Sequence, residues 1–576
     1  MKKKNFNDWT KEELISEVQA LKKQKTYGLV WEKDNTNEEF DYYINWDGMK
    51  NEEKFPNAKH KFPVLKEVKK NEIVTNKEDD YNILIEGDNY HSLATLNFTH
   101  NGKIDVIYID PPYNTGGGEF KYNDKIVDIN DTYRHSKWLS FMEKRLILAK
   151  NLLSPEGFIF ISIDDNEQSQ LKILCDEIFG GSNFVGNLIV QTNRGGRDYL
   201  QIAKTHEYLL CYSRSNKGIL NELKKKVEFK LKDSNGGYEK RELRNRNPKF
   251  NRKNRPNLFY TIYINSKIED ENGCCPISLI KSKQFCIGAI PQNSKREDGC
   301  WRWGKPLLEK NISLNDPYKS NVVAKQKKDG NWNVYEKSRK FTTKAKSIWD
   351  ETEVRTERGT IVLREIFGKS MFDHPKPVEL IMKILSLSTN KNSVALDFFA
   401  GSGTTGQAVM ELNKLDEGSR RFILCTNNEG NICSEVCYPR IKKVIGGYGG
   451  NKGIDTNLKY FQTDFVNNSS SDANKQKIVK KSTEMICLKE NAFQKVKEGD
   501  DWKIFKNKNK YLGIVFDEDA TEDFIKEVEK IDGNFNVYAF SLDESVPEKD
   551  FKKVKDKVKL CPIPEAILHV YRRIFK

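Results

Sequence analysis

Short apolar runs suited to fully buried strands alternate along this chain with helical stretches, in two blocks separated by a long basic interruption. The first block holds Ile83-Leu84-Ile85, Ile104 to Ile109 and Phe158 to Ile163, with helical spacing over Trp138 to Leu153. Runs this apolar suit strands covered on both faces, and their alternation with helices predicts an α/β fold built on a doubly wound, mostly parallel sheet. The second block runs from Pro377 to about Ile445, with strands at Val394-Ala395-Leu396 and Phe422-Ile423-Leu424. One sheet interrupted by an insertion is the expectation.

The remaining boundaries follow from changes of texture. Residues 1–75 read as an N-terminal arm: an amphipathic helix from Trp9 to Lys22, with Leu14, Ile15, Val18 and Leu21 at helical spacing, then an irregular stretch ending in Phe62 to Val68. Residues 76–194 and 366–450 are the two halves of the core. Between them, 195–365 carries three lysines at 224–226, the cluster Lys240, Arg241, Arg244, Arg246, Lys249, Arg252 and Arg255, and the tryptophans Trp301 and Trp303. That composition suits a nucleic-acid reader, and equally a solvated face. Residues 451–576 read as a small α/β appendage for dimerisation or partner binding, with strands at Tyr511 to Phe516 and Val537 to Phe540 and a helix from Glu522 to Ile531.

Composition narrows the setting. The 576 residues include 97 Lys and Arg against 83 Asp and Glu, a net charge of +14 that favours a polyanionic partner. Aromatic residues make up 11% of the chain, too many for an unfolded charged tail. No stretch approaches a membrane span or a signal peptide, so a cytoplasmic protein with no membrane contact is expected. The eleven cysteines show no repeated Cys-x-x-Cys, which points to reduced thiols. Cys433 and Cys437 lie four apart with no histidine near, so no metal site is expected.

The strand over Lys103 to Ile109 runs straight into Asp110-Pro111-Pro112-Tyr113, then Asn114-Thr115-Gly116. A conjugated exocyclic amine, such as that of adenine, is a poor nucleophile. Asp110 accepting one amine hydrogen and the carbonyl of Pro111 the other would free its lone pair for in-line attack on a methylsulfonium. The two prolines fix a rigid turn without competing N–H donors, and Tyr113 offers a face on which an extruded base stacks. The same four residues also suit an ordinary strand-ending turn.

A second signature is needed, and one follows the strand Ser393 to Phe399. Ala400-Gly401-Ser402-Gly403-Thr404-Thr405-Gly406 leads into a helical stretch from Gln407 to Asn413, with glycines at 401 and 403 letting backbone approach a ligand closely. This is neither a phosphate-binding Gly-x-x-x-x-Gly-Lys-Ser/Thr loop nor the full dinucleotide fingerprint.

Together, Asp110 to Tyr113 and Phe399-Ala400-Gly401-Ser402-Gly403 resemble the amino-group DNA methyltransferases. The resemblance implies a Rossmann-like fold, S-adenosylmethionine as cofactor and, from the aspartate-first tetrapeptide, chemistry at adenine N6. The tetrapeptide preceding the glycine loop resembles the β class, in which a target-recognition domain lies between the two; 195–365 would be that domain. Catalytic roles then fall on Asp110, Pro111, Pro112 and Tyr113. Cofactor-binding roles fall on Phe399, Ala400, Gly401, Gly403 and Thr404, on Asp397 toward the methionyl ammonium, and on Asp88 near the adenine, although Asp88 also suits a helix cap. His374-Pro375-Lys376-Pro377 resembles the element that meets the cofactor's amino-acid end, with Lys376 paired to its carboxylate. Arg134 to Trp138 resembles a further motif, in which His135 is either structural or catalytic. One departure stands out: the strand Phe422 to Cys425 continues into Thr426-Asn427-Asn428-Glu429, without the acid that usually binds the ribose. Asn427, Asn428 or Glu429 would have to replace it.

The flanks Tyr27 to Glu32, Phe62 to Leu65 and Lys459 to Phe465 resemble the modification subunit of type III restriction-modification systems. That resemblance implies a homodimer reading a short asymmetric site in double-stranded DNA, with a separate ATP-dependent restriction (Res) subunit as partner. A stand-alone adenine methyltransferase is the alternative, followed by a cytosine-N4, RNA or protein methyltransferase, or an idle DNA-binding subunit.

Overall fold

The computed structural model describes residues 10–11, 31–32, 42–43, 59–76, 79–116, 121–122, 125–196, 201–224, 228–314, 316, 319–467, 472–508, 510–541 and 548–574. The helix expected over Trp9 to Lys22 lies outside the described residues save for two positions. So do most of Tyr27 to Glu32 and part of the lysine run at 224–226. The described residues fall into two compact units, one drawn from 1–221 and 346–576, the other from 222–345.

The first unit is built on an eleven-stranded sheet. Its strands are β1 (Tyr42–Tyr43), β2 (Lys59–Glu67), β3 (Tyr81–Glu86), β4 (Ile104–Ile109), β5 (Leu153–Ile163), β6 (Phe184–Gln191), β7 (His206–Ser213), β8 (Ile348–Trp349), β9 (Val394–Asp397), β10 (Arg421–Thr426) and β11 (Asn457–Asn467). Their order is β1-β2-β11-β3-β10-β9-β4-β5-β7-β6-β8. The six strands from β11 to β5 are mutually parallel. β7 turns antiparallel to β5, and β6 to β7. This is the Rossmann-like, doubly wound sheet that the alternating pattern predicts.

Residue parity shows why the strands read as continuous apolar runs. Ile83, Ile85, Ile107, Ile109, Leu396 and Ile423 pack into one core with Leu93, Leu96, Met142 and Leu146 of helices α1 (Asn89–Thr99) and α2 (Arg134–Leu152). The alternate residues Leu84, Val106, Tyr108, Ala395, Phe422 and Leu424 are equally buried. Each such side chain withdrawn from water stabilises the fold by roughly 1.5–3 kcal/mol. Helix α3 (Val378–Ser388) packs against α4 (Thr404–Asp416), which packs in turn on α5 (Tyr438–Gly446). At Gly406 of α4 a Cβ would stand 2.6 Å from Ile441 and 3.1 Å from Leu424, so only glycine allows this helix so near the sheet.

Three features depart from the sequence reading. The arm is not irregular throughout, because β2 pairs antiparallel with β11 and buries Phe62, Val64 and Leu65. Its proline and lysines hide it; strands tolerate proline near a sheet edge, and among the described residues only the two-residue β1 lies beyond β2. β11 belongs to the main sheet rather than the appendage, its polar Lys459 being paired with Glu67 and, at 2.6 Å, with Glu72. The rest of the C-terminal region forms a five-stranded sheet over 494–563, and its Ile514, Phe516 and Tyr538 join the core of the first unit.

The second unit, 222–345, is narrower than the 195–365 insert, since β7 and β8 belong to the sheet of the first. It is all-β apart from short helical turns, with a four-stranded sheet ordered 231–233, 236–242, 332–338, 322–326 and a three-stranded one over 262–289. Trp301 is not a surface reader: it is 1% exposed, and its indole donates to Tyr260 O at 2.7 Å. Arg244 and Arg246 pair with Glu242, and Arg252 with Asp298. Arg241, Lys249, Lys253 and Arg255 stand exposed with no ion pair among the described residues.

All eleven cysteines are free thiols, nine of them buried. Among the described residues no helix is long and apolar enough to cross a membrane.

Candidate active site

β9 and β4 are neighbours in the sheet, with Ala395 opposite Val106 and Leu396 opposite Ile107. The glycine loop and the tetrapeptide, remote in sequence, therefore leave the carboxyl ends of adjacent parallel strands. Ligands of open α/β sheets bind in the crevice outside such ends.

The turn after β4 is held from behind. Trp138 Nε1 donates to Pro112 O at 2.7 Å, whereas Pro111 O accepts no hydrogen bond among the described residues. Asn114 is buried at a φ of 55°, and its amide donates to Glu167 Oε1 (2.5 Å) and Arg134 O (3.3 Å). His135 Nδ1 meets the same Glu167 oxygen at 2.6 Å, so this histidine is bound into the support of the turn. Glu167 is fully buried, which pushes its carboxyl up to about 8 against the opposing pull of Asn114 and Arg134. Burial, then Arg134, pulls His135 down.

These shifts fix a sign. Unfolded, Glu167 releases its proton near 4.5; folded, it keeps it to about 8. Its contribution to stability is thus fully present below about pH 4.5 and is lost as pH rises towards 8. Melting temperatures measured from pH 5 to 8 should fall more for the wild type than for Glu167→Gln; parallel profiles would contradict this.

In front of the turn, four side chains from three places in the chain converge. Tyr113 Oη lies 2.8 Å from Asp110 Oδ1 and 3.2 Å from Glu207 Oε2, the latter on β7. Lys376 Nζ donates to Tyr113 Oη and to Glu207 Oε2, both at 2.7 Å, and is 3.3 Å from Asp110 Oδ1. Asp110 Oδ2 accepts nothing among the described residues. Burial of Lys376 disfavours its charge, but Asp110 and Glu207 outweigh that and raise its pKa. Burial raises Glu207 in spite of Lys376, and burial with Asp110 and Glu207 lifts Tyr113 well above its ordinary value. Glu207 has no motif around it; its one mark in the sequence is an acid ahead of the apolar and aromatic run Tyr208 to Tyr212.

The glycine loop is built around Asp397. Its Oδ1 accepts from Phe399 N at 3.0 Å and its Oδ2 from Thr405 Oγ1 at 2.5 Å. Burial raises this carboxyl to about 7, opposed by those two donors. Gly401 and Gly403 adopt φ of 49° and 80°, and at Gly403 a Cβ would stand 3.0 Å from Cys437 Sγ. Thr404 is turned inward: its hydroxyl and that of Ser402 accept from Arg440 Nη1 at 2.8 and 3.0 Å. Arg440 is completely buried, which pulls it down to about 10. Ala400 N bonds Cys425 O, and Phe399 packs its ring near Phe141.

Asp88 caps α1 through Tyr90 N at 2.7 Å and pairs with Arg145 at 3.4 Å. Burial works against its charge, but Arg145, His91 and the Tyr90 amide together hold it below the ordinary range. Arg145 is fully buried, stacks 3.6 Å over the Phe141 ring and bonds Asn89 Oδ1 at 2.5 Å, while Asn89 Nδ2 donates to Phe398 O. Asn427 and Glu429 stand exposed just past β10. The Asn428 carboxamide oxygen instead accepts from Ser434 N and Oγ. No group of three or more His, Cys, Asp and Glu among the described residues is placed to hold a metal ion.

A doubly wound sheet that sets an Asp-Pro-Pro-Tyr turn beside a glycine loop defines a class of transferases with a nucleoside cofactor. Residues 104–433 match the family described as DNA methylase, of the N6/N4 type. The chain belongs to this family. It is 34% identical over 427 residues to the type III restriction-modification enzyme EcoPI Mod subunit of Escherichia phage P1, covering 67% of this chain and 64% of that one. It is also 34% identical over 361 residues to the type II methyltransferase M.KpnI of Klebsiella pneumoniae, covering 61% of this chain and 82% of that one. The chain thus spans less than two thirds of the EcoPI subunit's length. PvuII DNA methyltransferase (cytosine-N4-specific), a solved structure, is 8% identical with a TM-score of 0.32, covering 63% of this chain and 92% of its own.

Proposed function

We propose that this chain transfers a methyl group from S-adenosylmethionine to N6 of an adenine extruded from duplex DNA, as the modification subunit of a type III restriction-modification system. One observation carries the reading: the Asp110-to-Tyr113 turn and the Phe399-to-Thr404 loop, far apart in sequence, emerge side by side from β4 and β9.

The donor set fits the cofactor. Gly401 and Gly403 hold a turn of positive φ at the start of α4, where the first N–H groups of a helix lack a carbonyl partner within it. The carboxylates Asp397 and Asp88 stand at the ends of β9 and β3, suited to an ammonium and to a nucleoside. Asn427 and Glu429, exposed just past β10, are polar groups suited to a ribose. When bound, the cofactor supplies an electrophilic methyl on sulfonium.

The chain's own residues do the rest. Asp110 Oδ2 and Pro111 O are the open acceptors at the turn, and together they draw both hydrogens of the amine so that its lone pair leaves conjugation. Trp138 occupies Pro112 O, which takes that carbonyl out of the set of open acceptors. Tyr113 supplies the stacking face, and a carboxylate at Asp110 receives the proton released. The exposed Arg241, Lys249, Lys253 and Arg255 of the 222–345 unit suit phosphate contacts of a target-recognition domain. A homodimer and a Res subunit partner complete the proposed assembly.

Labelled methyl transfer onto duplex DNA, RNA and protein in parallel tests the reading. Label in DNA recovered as N6-methyladenine is expected; label in RNA or protein alone, or in N4-methylcytosine, would contradict it.

A further inference from the structure

Two carboxylates share one ammonium beside the open acceptor of the turn. Glu207 is nearly buried, on a strand whose following residues Tyr208, Leu209, Leu210, Cys211 and Tyr212 are apolar or aromatic. A carboxylate is costly there unless paired, and its cation is Lys376, which also lies within 3.3 Å of Asp110. The Tyr113 hydroxyl has one proton and sits nearer Asp110, at 2.8 Å, than Glu207, at 3.2 Å. It therefore serves Asp110 Oδ1 and leaves Lys376 drawn to Glu207. Asp110, Glu207 and Lys376 sum to a single negative charge.

We propose that Glu207 is a positioning residue which, by holding Lys376, keeps that ammonium from neutralising Asp110 and so preserves one net negative charge beside the reacting centre. The inference rests on the methyltransferase reading above and deepens it. Without Glu207, the carboxylate left to Lys376 in this cluster is Asp110, and a paired carboxylate is a weaker acceptor for a neutral amine. A mere stability pair would have a different signature. Removing both partners would restore the fold but leave the chemistry and ligand preference where the single variant left them.

The test uses the full chain as wild type, Glu207→Gln and the double variant Glu207→Gln/Lys376→Met, each checked by thermal melting. One arm is equilibrium binding of S-adenosylmethionine, a sulfonium, against S-adenosylhomocysteine, its neutral thioether. Retained negative charge favours the cation, so Glu207→Gln should lower the sulfonium-over-thioether preference, and the double variant should restore it. Loss of a contact between Lys376 and the cofactor carboxylate would weaken both ligands alike and leave the ratio unchanged. The second arm is single-turnover transfer to DNA, where Glu207→Gln should slow the rate by about tenfold or more and the double variant should recover most of that loss. Unchanged preference and rate in Glu207→Gln, or a double variant no better than the single, would overturn the proposal. If Glu207→Gln melts early, the double variant alone decides: a preference below wild type overturns it. A wild type that leaves DNA unmethylated would sink the functional reading, while the binding arm still judges Glu207.

Discussion

Asp110→Ala abolishes methyl transfer, lowering the single-turnover rate by about a thousandfold while leaving the melting temperature near that of the wild type and lowering the preference for S-adenosylmethionine over S-adenosylhomocysteine. The magnitude follows from what the side chain supplies. Losing one preorganised charge-stabilising group in an active site typically removes about 10²–10³ in rate, and Asp110 is both the amine's acceptor and the charge that offsets the cation formed on the base. The fold survives because the partners of Asp110 Oδ1 have another: Tyr113 and Lys376 both lie within hydrogen-bond distance of Glu207. Single-turnover transfer with calorimetric cofactor titration checks this, and a rate within tenfold of wild type would remove Asp110 from the chemistry.

The largest effect on stability is expected at Arg145, which touches neither reacting group. Its guanidinium bonds Asn89 Oδ1 and Phe141 O, pairs with Asp88 and stacks on Phe141. Asn89 in turn reaches Phe398 O at the head of the glycine loop. Arg145→Ala would leave Asn89 Oδ1 short of a donor, open a cavity against Phe141 and strip Asp88 of its cation. Removing a buried guanidinium that satisfies Asn89 and packs on Phe141 costs about 2–3 kcal/mol. Denaturant unfolding should show that loss together with weakened cofactor binding, since the cap at Asp88 and the loop at Phe398 both depend on it. A change below about 1 kcal/mol, the usual size of an exposed pair, would mean that Arg145 is not the tie described.

What the sequence disclosed and what it concealed divide along physical lines. The parallel strands were legible because burial on both faces demands unbroken apolar runs, as in Ile104 to Ile109 and Phe422 to Leu424. The tetrapeptide and glycine loop were legible because proline rigidity and positive-φ glycines leave marks at fixed spacing. β2 and β11 were concealed because edge position and the Lys459–Glu67 pair let polar residues and a proline into strands. Glu207, Glu167 and Arg440 were concealed for another reason: each acts through partners that only the fold brings near. Lys376 was legible as an element of the site, but its neighbours Asp110, Tyr113 and Glu207 come from β4 and β7, and no spacing in the chain encodes that meeting. Trp301 misled because aromatics among basic residues suit a nucleic-acid surface and a small β core equally well.

The central claim, methylation of adenine N6 in DNA at a specific site, is tested most directly by expressing this chain in a methylation-free host and sequencing the genome for modified bases. N6-methyladenine is expected in one short, asymmetric sequence context on one strand, and is expected to be absent from the Asp110→Ala control. Unmodified DNA despite folded protein, or modification at cytosine N4, would contradict it.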